Sequence, residues 1–181
     1  MSRRWFGQNV AWSLGVALMV AAPPAADIRV TPVVADGAVA VSFTAPDAIG
    51  AAARELVQSG LLMTLSFVVD LKQPSATWFD RTLAQVGVAS SVKFDNLTGV
   101  YHVSRLREGH VVWSERTGEF AQARTWLTTF DRVEVAATEP LEPNVEYYVL
   151  VRMRTTPRRT FPLWPWASDD SSGRATFTFI R

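Results

Sequence analysis

Apolar and polar residues alternate along most of the chain after residue 27, and a period of two is typical of strands that bury one face. The longest example is residues 61–71, where every second position is apolar. The positions between them include the polar residues Thr64, Ser66, Asp70 and Lys72. The same pattern predicts strands at residues 28–34, 39–43, 83–94, 100–106, 132–137, 146–155 and 175–180, and residues 110–115 can form one more.

Two short segments change to the spacing of an amphipathic helix. In residues 46–59, Pro46 suits the first turn and Gly60 suits the position just past the end. In the second helix Thr117 suits the N-cap. Its apolar face is predicted to carry Phe120, Ala123, Leu127 and Phe130. Because hairpin turns outnumber crossovers, the sequence predicts an α+β fold of mainly antiparallel, sandwich-like β-sheet with two short helices.

The start of the chain has the three parts of a secretory leader. Arg3 and Arg4 supply positive charge, residues 10–22 are apolar and uncharged, and residues 21–26 are small and turn-prone. We expect residues 1–26 to be a cleaved leader and residues 27–181 to form a single strand-rich globular domain that is periplasmic or otherwise exported. The alternative is an uncleaved N-terminal helix that retains the protein at the membrane.

Composition and charge narrow the functional classes. The formal net charge is +1, without the basic excess of a nucleic-acid binder, so we expect no nucleic-acid partner. The chain has no cysteine, which excludes disulfides, cysteine-based zinc sites and thiol nucleophiles. Because the sequence carries no phosphate loop and no dinucleotide fingerprint, we also expect no cofactor.

Candidates for catalysis are few. The chain has two histidines, His102 and His110, whose spacing matches no metal-ligand pattern. His102 shares a predicted strand face with Ser104. Either Asp80 or Asp95 could complete a Ser–His–Asp arrangement, but the sequence has no nucleophile-elbow motif. We therefore expect no catalytic residue and no metal site. The alternative is a hydrolase that uses His102 with a carboxylate.

Asp80 could also act with Asp70 as a general acid/base pair. Both are predicted to lie at strand ends, where carboxylates are usually solvated. No spacing rule brings them together in the sequence. We therefore expect them to be ordinary surface residues.

The segment that stands out most combines basic and aromatic residues near the end of the chain. Pro162 and Pro165 prevent a helix and disfavour a central strand, so residues 155–167 are predicted to be an extended loop. Large apolar groups on surface loops usually mark contact with a membrane or a partner. The predicted binding residues are Arg152, Arg154, Arg158, Arg159, Phe161, Trp164 and Trp166. The alternative is that the tryptophan rings cover one end of the core.

Several segments together carry a resemblance to a known family. They are the sequence Trp78-Phe79-Asp80 after a long amphipathic strand, the hairpin at residues 93–103, a short helix near residues 120–127, and the late strand at residues 147–152. With the leader, they resemble a family of exported bacterial proteins known as domain of unknown function 4390. The resemblance implies export, a similar size and a link to envelope signalling. It assigns no catalytic residue.

These observations lead to one functional expectation and two alternatives. We expect a non-enzymatic periplasmic or envelope binding or accessory module. Its partner is expected to be another envelope protein or the membrane surface. The alternatives are the hydrolase that uses His102 and a carrier of a lipid or another apolar ligand, which would require an apolar cavity between sheet and helix.

Overall fold

The computed structural model describes residues 28–76, 79–156 and 171–180. The strands are β1 Arg29–Ala35, β2 Ala38–Thr44, β3 Met63–Gln73, β4 Arg81–Asp95, β5 Val100–Arg107, β6 His110–Thr117, β7 Thr129–Ala137, β8 Val145–Thr156 and β9 Ser171–Phe179. The helices are α1 Ala51–Gln58 and α2 Phe120–Thr128, and a single 3-10 turn covers Pro46–Ala48. Neither α-helix in this described part is long and apolar enough to cross a membrane.

The strands form two sheets in which every described pairing is antiparallel. The small sheet has the order β1-β2-β7, and the large sheet has the order β6-β5-β4-β3-β8-β9. The two sheets pack face to face, and both helices lie on the same side of the large sheet as the small sheet. This arrangement confirms the predicted α+β fold of mainly antiparallel, sandwich-like sheet with two short helices.

The core lies between the two sheets and follows directly from the alternation in β3. Phe67 faces the small sheet, where its ring centroid lies 5.1 Å from both Phe43 and Phe130. The rings of Phe43 and Phe130 stack on each other at 4.8 Å. Aromatic pairs of this kind contribute about 0.5–1.5 kcal/mol beyond the burial of their area. The centre of the sandwich is therefore filled by three rings.

The predicted element boundaries differ from the structure at both helices and at the last strand. The prediction that Phe130 lies on the apolar face of the second helix is wrong, because α2 ends at Thr128 and Phe130 belongs to β7. The first helix is shorter than residues 46–59, because Gly50 is extended and separates the 3-10 turn from α1. The second helix has Glu119, rather than Thr117, as its N-cap residue. Thr117 instead ends β6, and its Oγ1 accepts a hydrogen bond from the Glu119 N–H at 3.0 Å. The last strand begins at Ser171, four residues before the predicted start at residue 175, because its polar first half pairs with β8.

The first described residue packs tightly against the last strand. A Cβ atom added at Gly173 of β9 would overlap the carbonyl oxygen of Ile28 and would lie 2.8 Å from its carbonyl carbon. Only glycine leaves room for this approach of two backbones. Gly173 therefore allows the start of β1 to lie against the edge strand of the large sheet.

Candidate functional site

The large sheet has a second face, which we call the outer face because the small sheet and the helices pack on the other side. Strand alternation assigns side chains to it: Val69 of β3 points to the core, so its neighbours Val68 and Asp70 point outward. The register places Asp70 opposite Gln85 of β4 and Leu150 of β8. Polar and charged side chains from four adjacent strands meet on this face.

Asp70 is 1% exposed although it lies on the outer face. Its Oδ1 accepts a hydrogen bond from Gln85 Nε2 at 2.6 Å, and its Oδ2 accepts one from Arg152 Nη2 at 2.7 Å. The Arg152 side chain remains 48% exposed. Because a buried carboxylate is tolerated only when it is paired, these two donors explain how Asp70 can be inaccessible to water. The prediction that Asp70 is a solvated strand-end carboxylate is wrong.

A second carboxylate, Asp80, lies on the same face at the end of the β3–β4 connection. Tyr148 of β8 donates its hydroxyl hydrogen to Asp80 Oδ2 at 2.5 Å, and the Ser75 N–H donates to Oδ1 at 3.1 Å. These hydrogen bonds, the Tyr148 bond first, hold the pKa of Asp80 below its usual value. The same bond raises the pKa of the Tyr148 hydroxyl.

Arg174 of β9 completes the arrangement. Its guanidinium carbon lies 3.7 Å from the centroid of the Tyr148 ring, which is a cation–π contact. Tyr148 is thus held at its hydroxyl by Asp80 and on its face by Arg174. We call the whole group the outer-face cluster. It consists of Asp70, Asp80, Gln85, Tyr148, Arg152 and Arg174.

The outer-face cluster suits recognition better than proton transfer. Both carboxylates are held by strong donors, and a carboxyl group whose pKa is lowered is a poor general acid near neutral pH. The side chains of Arg152 and Arg174 lie at the surface of the cluster, where they can bind an acidic group. Their hydrogen-bonding and stacking partners also limit their motion, so that little conformational entropy is lost on binding.

The predicted binding residues are only partly covered by the described chain. Arg152 belongs to the outer-face cluster. Arg154 is exposed on the same face, where it pairs in register with Ser66 of β3. The remaining predicted residues lie outside the described residues; they are Arg158, Arg159, Phe161, Trp164 and Trp166. The structure therefore places two of the seven predicted binding residues, and binding by the other five stays a prediction.

The histidines do not come together with each other or with a nucleophile. His102 is exposed on the outer face opposite Arg116, whereas His110 lies at the other end of the β5–β6 hairpin opposite Arg107. Ser104 Oγ is hydrogen-bonded to Ser114 Oγ at 3.1 Å. Within residues 28–76, 79–156 and 171–180, no three His, Cys, Asp or Glu side chains converge where they could hold a metal ion.

The carboxylates proposed as partners of His102 have other roles. Asp95 Oδ1 accepts hydrogen bonds from the N–H groups of Leu97 at 2.9 Å and Thr98 at 3.4 Å, so this side chain closes the β4–β5 turn. These turn hydrogen bonds lower the pKa of Asp95. Asp80 is bound to Tyr148, at the opposite end of β4. The arrangement that a Ser–His–Asp hydrolase requires is not formed by these residues.

Arg105 of β5, which the sequence analysis did not single out, forms another polar group on the core side of the large sheet. Its guanidinium donates to the carbonyl oxygens of Trp126 at 3.2 Å and Thr129 at 2.6 Å, where α2 ends and β7 begins. The guanidinium carbon also lies 5.1 Å from the ring centroids of Trp113 and Phe130. Burial lowers the pKa of this guanidinium. Arg105 thus satisfies the free carbonyls at the end of α2, which is a structural role.

Comparison with known proteins gives one match. Neither the curated proteins nor the solved structures contain a chain that matches this one. The family described as Domain of unknown function (DUF4390) matches residues 25–165, which include most of the described strands and both helices. This match confirms the resemblance carried by the hairpin at residues 93–103 and the strand at residues 147–152, and the chain belongs to that family.

Proposed function

We propose that the domain is a non-enzymatic binding or accessory module of the bacterial envelope that contacts its partner with the outer face of the large sheet. The observation that carries this proposal is Asp70, a carboxylate that is 1% exposed on the face opposite the core. A buried ion pair usually stabilises a fold no better than apolar side chains of similar volume do. A cluster that orders two arginines and a tyrosine is therefore better explained by recognition than by stability.

The composition of the cluster supports the same proposal. Arginine and tyrosine are enriched at the energetic centres of protein interfaces, because they combine a large contact area with directed hydrogen bonds. Arg152 and Arg174 would pair with acidic groups of the partner. The ring of Tyr148 provides a rigid platform beneath Arg174. The partner surface is expected to be acidic at this point.

Placement in the envelope rests on the sequence of residues 1–26, which has the parts of a secretory leader. The expected mature chain begins near Asp27, immediately before the first described residue. N-terminal sequencing of protein from the periplasmic fraction is expected to show a start near that residue. An intact Met1 in a membrane pellet would contradict cleavage and support the retained helix.

Site-specific photocrosslinking in living cells tests the proposed binding face. Thr176 is exposed on β9 and lies opposite Tyr148 in register, so a crosslinking residue there samples the outer-face cluster. Ala121 is exposed on α2, on the other side of the large sheet, and is the matched control. We expect a discrete crosslink from position 176, lost when Arg174→Ala is added, and none from position 121. Equal yields at both positions, or none at either, would overturn the proposal.

A further inference from the structure

One end of the domain exposes three leucines. Leu61 and Leu62 lie between α1 and β3 and are 55% and 58% exposed, and Leu97 lies in the β4–β5 turn and is 97% exposed. The two segments are adjacent, since a Cβ atom at Gly60 would lie 3.1 Å from Asn96 Nδ2. We call Leu61, Leu62 and Leu97 the leucine rim. Exposed apolar residues that group together in this way usually mark a contact surface.

Basic side chains lie directly beside the leucine rim on the outer face. Lys93 of β4 and Arg116 of β6 are both exposed and flank His102 of β5 in the same cross-strand register. Met63, the first residue of β3, pairs with Val92 of β4, so Leu62 and Lys93 each lie one residue beyond this pair, at the same end of the sheet. We call Lys93 and Arg116 the basic pair. Asp95, in the same turn as Leu97, is already bound to backbone N–H groups.

The connection between β8 and β9 leaves the described chain at this end as well. Thr156, the last residue of β8, pairs with Thr64 at the start of β3. Residues 157–170, which carry two arginines, a phenylalanine and two tryptophans, therefore connect here.

We propose that the end of the domain formed by the leucine rim and the basic pair docks on an anionic lipid surface; this inference rests on the proposed function in the envelope. Leucine side chains insert into the boundary between headgroups and acyl chains, and lysine and arginine bind anionic headgroups. Because the strands of β3 and β8 lead away from this end, the outer-face cluster near Asp70 and Tyr148 would remain above the membrane. The partner and the lipid would then occupy different parts of the same face.

Single-cysteine labelling of the full chain tests the inference directly, because the protein has no cysteine of its own. Leu97→Cys places a fluorophore on the leucine rim, and Ala76→Cys places it in the β3–β4 connection at the opposite end of the sheet. Both positions are exposed, so labelling leaves the core intact. The probe is a vesicle of phosphatidylcholine with about one third phosphatidylglycerol and a quencher on the lipid chains, a composition chosen because basic surfaces bind anionic headgroups.

We expect lipid quenching of the label at position 97 and none at position 76. Quenching at position 97 should fall at least about fivefold in vesicles of phosphatidylcholine alone, and by a similar factor in the Lys93→Glu, Arg116→Glu variant, because the attraction depends on charge. Equal quenching at both positions, or none at position 97, would overturn the inference.

A matched pair of apolar substitutions separates docking from folding. Leu62→Ser removes part of the leucine rim, whereas Val112→Ser removes an apolar side chain that is 63% exposed on the edge strand β6. We expect weaker quenching at position 97 only for Leu62→Ser, with unchanged circular dichroism for both variants. If position 97 stays unquenched while the Thr176 crosslink persists, lipid docking fails and the binding module stands. If both signals are absent, the proposed function fails as well.

Discussion

The two faces of the large sheet exclude water by different means. On the core face, Val69 is fully buried among apolar side chains that pack around the ring of Phe67. On the outer face, its neighbour Asp70 is almost as inaccessible to water, but its carboxylate is held by hydrogen bonds from Gln85 and Arg152. Apolar burial is non-directional and shared among many contacts, whereas the outer-face cluster depends on each individual donor. The core face therefore accounts for most of the stability, and recognition on the outer face is what we propose.

The largest effect is expected on the core face. Phe67→Ala should lower the free energy of unfolding by about 3–5 kcal/mol, because it removes the ring between Phe43 and Phe130 and leaves a cavity. Urea denaturation followed by circular dichroism measures the loss. Val68→Ala, one residue away on the outer face, is the matched control and should cost much less. Similar losses in both variants would mean that the two faces do not differ as described.

Removal of Arg152 tests the outer face. Arg152→Met removes one of the two hydrogen bonds described for Asp70, keeps the one from Gln85, and should lower the free energy of unfolding by about 1–3 kcal/mol. The loss is expected below that of a fully buried pair because Arg152 is half exposed. The double variant Asp70→Leu, Arg152→Met should recover most of it, since apolar replacements of both partners are often neutral. If Arg152→Met were as stable as the wild type, the ion pair would contribute nothing to the free energy of unfolding.

The hydrogen bond between Tyr148 and Asp80 predicts that the stability of the fold decreases at acidic pH. Because the folded-state pKa of Asp80 is lowered, this group stabilises the fold above its unfolded pKa, near 3.8, and the contribution is lost as the pH falls below that value. A carboxyl carbon NMR titration should give a midpoint below 3.8, and Tyr148→Phe should move it towards 3.8. Loss of the hydroxyl should lower the free energy of unfolding at neutral pH. An unmoved midpoint would assign the lowered pKa to Ser75 instead.

The smallest effect is expected at His102, which is exposed on the outer face. His102→Ala should change the free energy of unfolding by no more than about 0.5 kcal/mol, because exposed substitutions remove few contacts. The Thr176 crosslink should also be unaffected. Arg105→Ala, on the same strand but tied to the end of α2, is a contrasting control that should lower the melting temperature. A loss of cellular function in His102→Ala, with folding unchanged, would favour the hydrolase.

Local patterns predicted the strands well where alternation was strong and poorly where polar residues formed a strand. The pattern of Met63, Leu65 and Phe67 located β3, because the core selects one face. The first residues of β9, from Ser171 to Arg174, show no such alternation, and the backbone of β8 is what extends them as a strand. The outer-face cluster was missed for the same reason: Asp70 and Arg152 are 82 residues apart. Only the register of β3 on β8, which sets Arg152 opposite Val68 and diagonal to Asp70, makes them partners.

The sequence by itself determined the fold class, the family and the core, because the period of apolar residues and the turn residues are local properties of the chain. It also singled out Arg152, from a cluster of basic residues near the end of the chain. The tertiary structure decided that Asp70 is buried, that the Tyr148 hydroxyl donates a hydrogen bond to Asp80, and that Leu62 and Lys93 lie at the same end of the large sheet. These facts depend on the pairing of β3 with β4 and β8, and strand register is set by long-range contacts that no local pattern contains.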